Sequence, residues 1–178
     1  MAKIVLINGS MNPNSLGKKL LNMASRILEK KGHDTEIICV CDTNFPLYSP
    51  AVPLTEEMIT VSEKIKAADA FLISSPEYHG GYSGALKNLL DYQDGSGFKN
   101  KPIALMSTSG GMRSGINTLN SMRLIFRSLH AHVIPQQVSV CEKELLENNE
   151  LSEEAQSQFK SVLLGLLQEV SYRFQHRS

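Results

Sequence analysis

Ala70-Phe-Leu-Ile-Ser-Ser75 runs into Pro76-Glu-Tyr-His-Gly-Gly-Tyr-Ser-Gly-Ala-Leu-Lys-Asn-Leu-Leu-Asp-Tyr92, and the reading of this stretch decides the fold. The apolar run is short, and the proline after Ser75 stops a helix and favours an extended approach, so it reads as a strand. Beyond it, Leu86, Leu89 and Leu90 recur at helical spacing. Between the two lie Gly80, Gly81 and Gly84, which free the backbone to approach a neighbour closely. The unit is a strand, a glycine-rich loop and a helix. Taken alone, the loop fits a flat or phosphate-bearing ligand and a bare strand-to-helix turn equally well.

Outward from this unit the same alternation repeats. Lys3 to Asn8 is a continuous apolar run of the kind that parallel sheets bury on both faces, which predicts a central strand. Leu16, Leu20, Met23, Ala24, Ile27 and Leu28 form one helical stripe, ended by Lys30-Lys31-Gly32, so the first helix is predicted over about Ser15 to Lys31. Thr35 to Val40 reads as a second strand. The prolines of Asp42-Thr-Asn-Phe-Pro-Leu-Tyr-Ser-Pro50 keep the next segment irregular. Thr55 reads as the N-cap of a helix reaching Ala67, with Glu56 and Glu57 in its first turn.

Asp94-Gly-Ser-Gly97 is a turn, and Pro102 opens a fourth strand through Ile103-Ala-Leu-Met106. A second glycine-bearing loop is predicted from Ser107 to Ser114. Ile116, Leu119, Met122, Phe126 and Leu129 set a fourth helix, and Val133 to Val140 a fifth strand, whose Pro135 implies a sheet edge. Ser152-Glu-Glu154 caps a last helix with Ala155, Phe159, Val162, Leu163, Leu166, Val170 and Phe174 on its stripe.

Five strands alternating with five helices, joined by right-handed crossovers, make a three-layer α/β domain over residues 1–178 with a five-stranded parallel sheet. In the order 2-1-3-4-5, ligands sit beyond the carboxyl ends of the strands at the switch point between strands one and three. The loops after strands one, three and four are then neighbours.

Charge narrows the function. Lys and Arg number 18, as do Asp and Glu, and a net charge of zero argues against nucleic acid, which needs a basic face. It argues equally against a strongly acidic electron carrier. There is no apolar run of membrane-spanning length and no secretory pattern at Met1-Ala-Lys3, so a cytoplasmic location away from membranes is expected. Cys39, Cys41 and Cys141 are too few and too irregularly spaced for a disulfide framework. Cys39 and Cys41 are expected to share a strand face as inert buried thiols, without a metal.

Gly9-Ser-Met-Asn-Pro-Asn-Ser15 ends at a helix N-terminus, where orphan amides, the Ser10 and Ser15 hydroxyls and the helix dipole suit an anion such as a phosphate monoester. Simple capping by Ser15 and Asn14 explains the same residues. The loop matches neither the nucleoside-triphosphate nor the dinucleotide glycine pattern. After strand four, Ser107-Thr-Ser-Gly-Gly-Met-Arg-Ser-Gly115 offers amides beside Arg113, which either favours negative charge on a polar ring or stands as a surface cation.

Gly9-Ser-x-x-x-x-Ser15, Ser75-Pro-Glu-Tyr-His with Gly84-Ala-Leu-Lys-Asn-Leu-Leu-Asp91, and Lys101-Pro-Ile-Ala with Ser109-Gly-Gly111 together resemble the NAD(P)H-dependent FMN reductase family. Phe45-Pro-Leu-Tyr48 is similar to that family's loop after strand two. The resemblance implies a flavodoxin-like fold and FMN as cofactor. It also implies hydride transfer from NADPH or NADH to flavin N5, with a small-molecule acceptor such as free flavin, a quinone, an azo compound or a metal ion. It implies Ser10, Asn12 and Ser15 around the phosphate, Pro76, Glu77, Tyr78, His79 and Gly80 along the isoalloxazine, and Ser109, Gly110 and Gly111 with Arg113 at its pyrimidine edge. A homodimer or homotetramer is the implied assembly.

No side chain is assigned a catalytic proton, and Glu77 and Tyr78 are expected to act structurally. Two residues depart from the family pattern. Asn12 stands where many members carry arginine; Lys18, one turn further on, either substitutes for it or, the safer reading, is a solvated surface lysine. His79 stands where many have asparagine, a silent change if only its backbone meets the ligand. The alternative reading is a flavodoxin-type electron carrier, which is typically acidic and aromatic around its flavin. This chain is neutral and has no Trp.

Overall fold

A computed structural model describes residues 1–111, 115–147 and 150–176. The elements follow the chain as β1 (Lys3–Asn8), α1 (Leu16–Lys30), β2 (Asp34–Cys39), a 3-10 turn (Val40–Asp42), α2 (Glu56–Ala67), β3 (Ala70–Pro76), α3 (Gly84–Asp91) and β4 (Pro102–Ser109). They end with α4 (Ile116–Ser128), β5 (His132–Cys141), a second 3-10 turn (Glu142–Glu144) and α5 (Glu153–Gln175). All strands are parallel, in the order β2-β1-β3-β4-β5. This is the flavodoxin-like order, with its switch point between β1 and β3.

Alternation along the strands divides the core into two layers. Ile4 and Leu6 of β1, Leu72 of β3 and Met106 of β4 face α1 and α5, where Leu20, Leu28, Phe159 and Leu166 meet them. Val5, Ile7, Phe71, Ile73 and Leu105 face α2, α3 and α4. On that side Phe98 sits between Phe71 and Phe126, with ring centroids 4.8 and 5.5 Å away, and truncation of such a fully buried ring costs about 3–5 kcal/mol.

The caps agree with the sequence. Ser15, Thr55 and Ser152 accept from Lys18 N (3.2 Å), Met58 N (3.3 Å) and Ala155 N (3.4 Å). Several boundaries differ. β3 includes Pro76, and β4 continues through Ser107, Thr108 and Ser109, which were expected to begin a loop. Both strands are central, and their last residues pair with each other, Ser75 with Ser107 and Pro76 with Thr108. Pairing with neighbouring strands therefore overrides the weak strand propensity of serine.

β5 is indeed an edge strand. Ile103 pairs with Val133 but Leu105 with Gln137, so an irregularity absorbs Pro135, whose carbonyl accepts from Arg123 Nη2 at 3.0 Å. Ile116 and Phe174, expected on buried stripes, are exposed. Cys41 lies on the 3-10 turn rather than on the β2 face with Cys39, and it is half-buried. Among the described residues no helix is long and apolar enough to cross a membrane.

Candidate functional site

Parallel β1, β3 and β4 end side by side, so their following loops meet at the carboxyl edge of the sheet. A cleft of about 140 Å³ opens there. Ser10, Asn12, Ser15 and Leu16 form one wall, Pro76, Glu77 and Tyr78 the second, and Thr108, Ser109 and Gly110 the third, with Glu142 reaching in from the turn after β5.

The first wall is built from local hydrogen bonds. Ser10 Oγ accepts from Asn12 N (3.2 Å), Asn12 Oδ1 from Asn14 N (2.9 Å) and Asn12 O from Ser15 N (3.1 Å). Ser15 takes the Lys18 amide, leaving the first-turn amides of Leu16 and Gly17 to an anion or water. Ser10 and Ser15 are buried, and Asn8 Nδ2 donates to Ser15 Oγ at 3.4 Å. Lys18 does not stand in for the absent arginine. Its Nζ lies 3.4 Å from Asp42 Oδ2, and the neighbouring Cys39 and Asp42 hold the ammonium above its ordinary value.

The second wall is fixed from a distance. Glu77 N donates to Thr108 O at 2.7 Å, and the Glu77 carboxylate accepts from Gly115 N (2.7 Å), Thr118 Oγ1 (3.1 Å) and Thr118 N (3.4 Å). Gly115, the N-cap of α4, has no capping side chain of its own and φ of 105°. A Cβ there would lie 1.9 Å from Ser139 Oγ, so Ser, Asp or Asn cannot serve, and Glu77 caps the helix instead. The Ser83 hydroxyl donates to Gly9 O and accepts from Leu86 N, which ties the start of α3 to the loop after β1.

His79 and Gly80 are the corner of a tight turn, with φ of 51° and 77°, between Tyr78 and Gly81, whose backbones exchange two hydrogen bonds of 2.8 and 3.0 Å. Asparagine and histidine both tolerate this left-handed corner better than most residues. Position 79 is thus constrained through its backbone, and both His79 and Gly80 are exposed outside the cleft lining. Tyr78 lines the cleft yet is 54% exposed.

On the third wall Ser109 Oγ donates to Gly111 O at 2.8 Å, and Gly111 lies outside the lining. A Cβ on Gly110 would meet nothing within 4 Å. The side-chain-free surface there faces open space, a cradle rather than a packing necessity. Arg113 lies outside the described residues. Leu16, Thr108 and Glu142 line the cleft without having been singled out. Leu16 was counted only toward a core stripe and Thr108 only toward a loop, while Glu142 carries no motif, and only the β4–β5 pairing brings it near.

The Phe45–Tyr48 segment is clamped to α3. Asn88 accepts from Tyr48 N and donates to Pro46 O, both at 2.8 Å, while Tyr92 packs edge-on against Phe45 and Tyr48. The Leu-Lys-Asn segment thus holds the loop after β2, and a Lys87–Asp91 ion pair of 2.5 Å runs along its helix.

This arrangement suits FMN. A phosphate fits a neutral nest of hydroxyls and helix amides, and a planar ring fits between Pro76–Tyr78 and the open face of Gly110. Known proteins give the same answer. The family model for NADPH-dependent FMN reductase matches residues 2–144. The chain is 35% identical over 166 residues to an NADPH azoreductase of Bacillus sp. (strain OY1-2), covering 92% of this chain and 90% of that protein. It is 30% identical over 154 residues to an FMN-dependent NADPH-azoreductase of Staphylococcus aureus (strain USA300), covering 83% and 81%. Its fold superposes on an NADH:FMN oxidoreductase, EmoB, with a TM-score of 0.81 at 20% identity, over 96% of this chain and 90% of that one. The motifs of the loops after β1, β3 and β4, the doubly wound sheet and the sequence match all converge, and the chain belongs to the NADPH-dependent FMN reductase family.

Proposed function

We propose that the cleft at the carboxyl edge of the sheet seats FMN and that the protein passes electrons from NADPH or NADH to a small planar acceptor of the azo or quinone class. As a member of its family the chain is an NAD(P)H-dependent flavin oxidoreductase with FMN as cofactor. The convergence of three loops on one cleft, with Gly110 facing open space, carries the assignment of the site. The azo class follows from the two azoreductase relatives. When bound, FMN supplies the hydride-accepting centre.

The chain's own residues bind and orient. Ser10, Ser15 and the first-turn amides of α1 hold the phosphate with the helix dipole and, among the described residues, no side-chain cation, since Asn12 is neutral and Lys18 is paired with Asp42. Pro76 to Tyr78 form the wall along the ring. Gly110, whose side-chain-free surface faces open space, would offer its backbone to the pyrimidine edge of the ring. Glu77, committed to α4, is a positioning residue rather than an acid or base. The exposed apolar side chains of Tyr78, Ile116 and Leu124 support a homodimer or homotetramer.

The test is anaerobic addition of NADPH or NADH to the protein with bound FMN, followed by an azo dye, alongside Gly110→Val. Bleaching of the flavin by a nicotinamide and reoxidation by the dye are expected. The valine variant should fold normally, because its Cβ meets nothing, yet lose FMN affinity. Flavin binding without reduction by either nucleotide would establish an electron carrier instead. Unaltered FMN affinity in the valine variant would move the site elsewhere.

A further inference from the structure

One strand away from the cleft, β2 ends in Cys39-Val-Cys-Asp42. Because Val40 to Asp42 turn as a 3-10 helix, both sulfurs and a carboxylate oxygen of Asp42 come within 4.8 Å of one another. Cys41 Sγ donates to Asp42 Oδ1 at 3.5 Å. A pocket of about 260 Å³ bordered by Cys39, Asp42 and Thr43 opens beside them. We propose that Cys39, Cys41 and Asp42 form a binding site for a thiophilic divalent cation of the zinc or cadmium type, distinct from the flavin cleft.

Two sulfurs and one oxygen are a ligand set that soft or borderline cations prefer, and three protein ligands leave a fourth position for water from the adjoining pocket. A tetrahedral ion with sulfur at about 2.3 Å separates its ligand atoms by about 3.8 Å, so ligation draws them together by no more than about 1 Å. Burial pushes both thiols above their ordinary value. Ligation releases two protons to solvent, as coordinated thiols deprotonate. Two thiolates and a carboxylate around a dication leave a single negative charge. Lys18, 3.4 Å from Asp42, stands ready to balance it.

The site is independent of the flavin assignment, and the experiment is run on the full chain both without and with FMN. Reduced, metal-free protein is titrated anaerobically with cadmium chloride while the ultraviolet sulfur-to-cadmium charge-transfer band is followed, and zinc chloride competes in parallel. A saturable band at one equivalent is expected, displaced by zinc and present with or without FMN. Cys41→Ser and Asp42→Asn, both at accessible positions, should each weaken binding by at least about tenfold, while Cys141→Ser, at the end of β5, should leave it unchanged. Circular dichroism checks that the variants are folded. Absence of the band, or a band equally strong in Cys41→Ser and Asp42→Asn, would overturn the proposal.

Discussion

The loops after β1 and β3 border the same cleft but are held by opposite means. The first is stitched by hydrogen bonds between residues two or three apart, Ser10 to Asn12, Asn12 to Asn14 and Ser15 to Lys18. The second, outside its Tyr78–Gly81 turn, is held by partners far along the chain. Glu77 reaches Gly115 and Thr118, Ser83 reaches Gly9, and Asn88 at the far end of the same motif reaches Pro46 and Tyr48. A locally stitched loop keeps its shape when its surroundings change. A remotely held loop transmits changes, because its anchors belong to other elements. The phosphate end is therefore preformed by local sequence, and the ring end by the assembled fold.

The largest expected effect breaks the remote anchoring. Glu77→Ala strips Gly115 N and Thr118 of a charged acceptor and should cost about 2–3 kcal/mol of stability. FMN affinity should fall with it, because the loops after β3 and β4 lose their common tie. Thermal unfolding and flavin-fluorescence titration measure the two. Glu77→Gln, which keeps an acceptor oxygen, should recover part of both. An alanine variant with unchanged FMN affinity would show that the two loops hold their places independently.

Asn88→Ala comes next, at about 1–2 kcal/mol for two bonds to the Phe45–Tyr48 segment. Its signature is faster hydrogen exchange at the Tyr48 amide, with FMN affinity changed less than in Glu77→Ala. If flavin binding suffers more than the loop does, Asn88 acts on the cleft directly.

The local loop is tested by a gain. Asn12→Arg adds the cation the phosphate nest lacks, offset by loss of the bond to Asn14 N, and should tighten FMN binding by about three- to tenfold. The gain should vanish as salt is raised toward ~1 M, where exposed charges are screened within about 3 Å. A gain insensitive to salt would mean that the loop was rebuilt rather than recharged.

The smallest effect lies away from both loops. The Glu36 carboxyl is held below its usual range by Lys64 and then Lys3, at 2.7 and 3.1 Å. A folded-state pKa below the unfolded value contributes stability at neutral pH that disappears as pH falls through the folded value. Glu36→Gln should therefore lower the melting temperature at pH 7 by the equivalent of about 0.5 kcal/mol and make no difference in strong acid, as scans at both pH values would reveal.

Much of this was legible in the residues. Periodicity marked every strand and helix, proline marked β5 as an edge strand, and the caps Ser15, Thr55 and Ser152 stand where their spacing put them. Ser10, Asn12, Ser15, Pro76, Glu77, Tyr78, Ser109 and Gly110 line the cleft that the loop motifs indicated. His79 and Gly80 serve it as a turn rather than as a wall. Errors gathered where the fold outweighs local preference. Ser107 to Ser109 belong to a strand because β3 and β5 both pair with Ser107 and Thr108 and β5 pairs with Ser109, and Cys41 leaves the strand face because β2 ends one residue earlier than its apolar pattern suggests.

By itself, then, the sequence determined what short-range chemistry can encode, namely the alternation of elements, the two buried faces of the sheet and the stitched loop after β1. Each depends on neighbours within a few residues, whose spacing is written in the chain. Only the tertiary structure decided that Glu77 caps α4, that Lys18 turns to Asp42 and that Glu142 enters the cleft. Those contacts join residues from different elements. Strand order and register set their distances, and no local pattern carries that information.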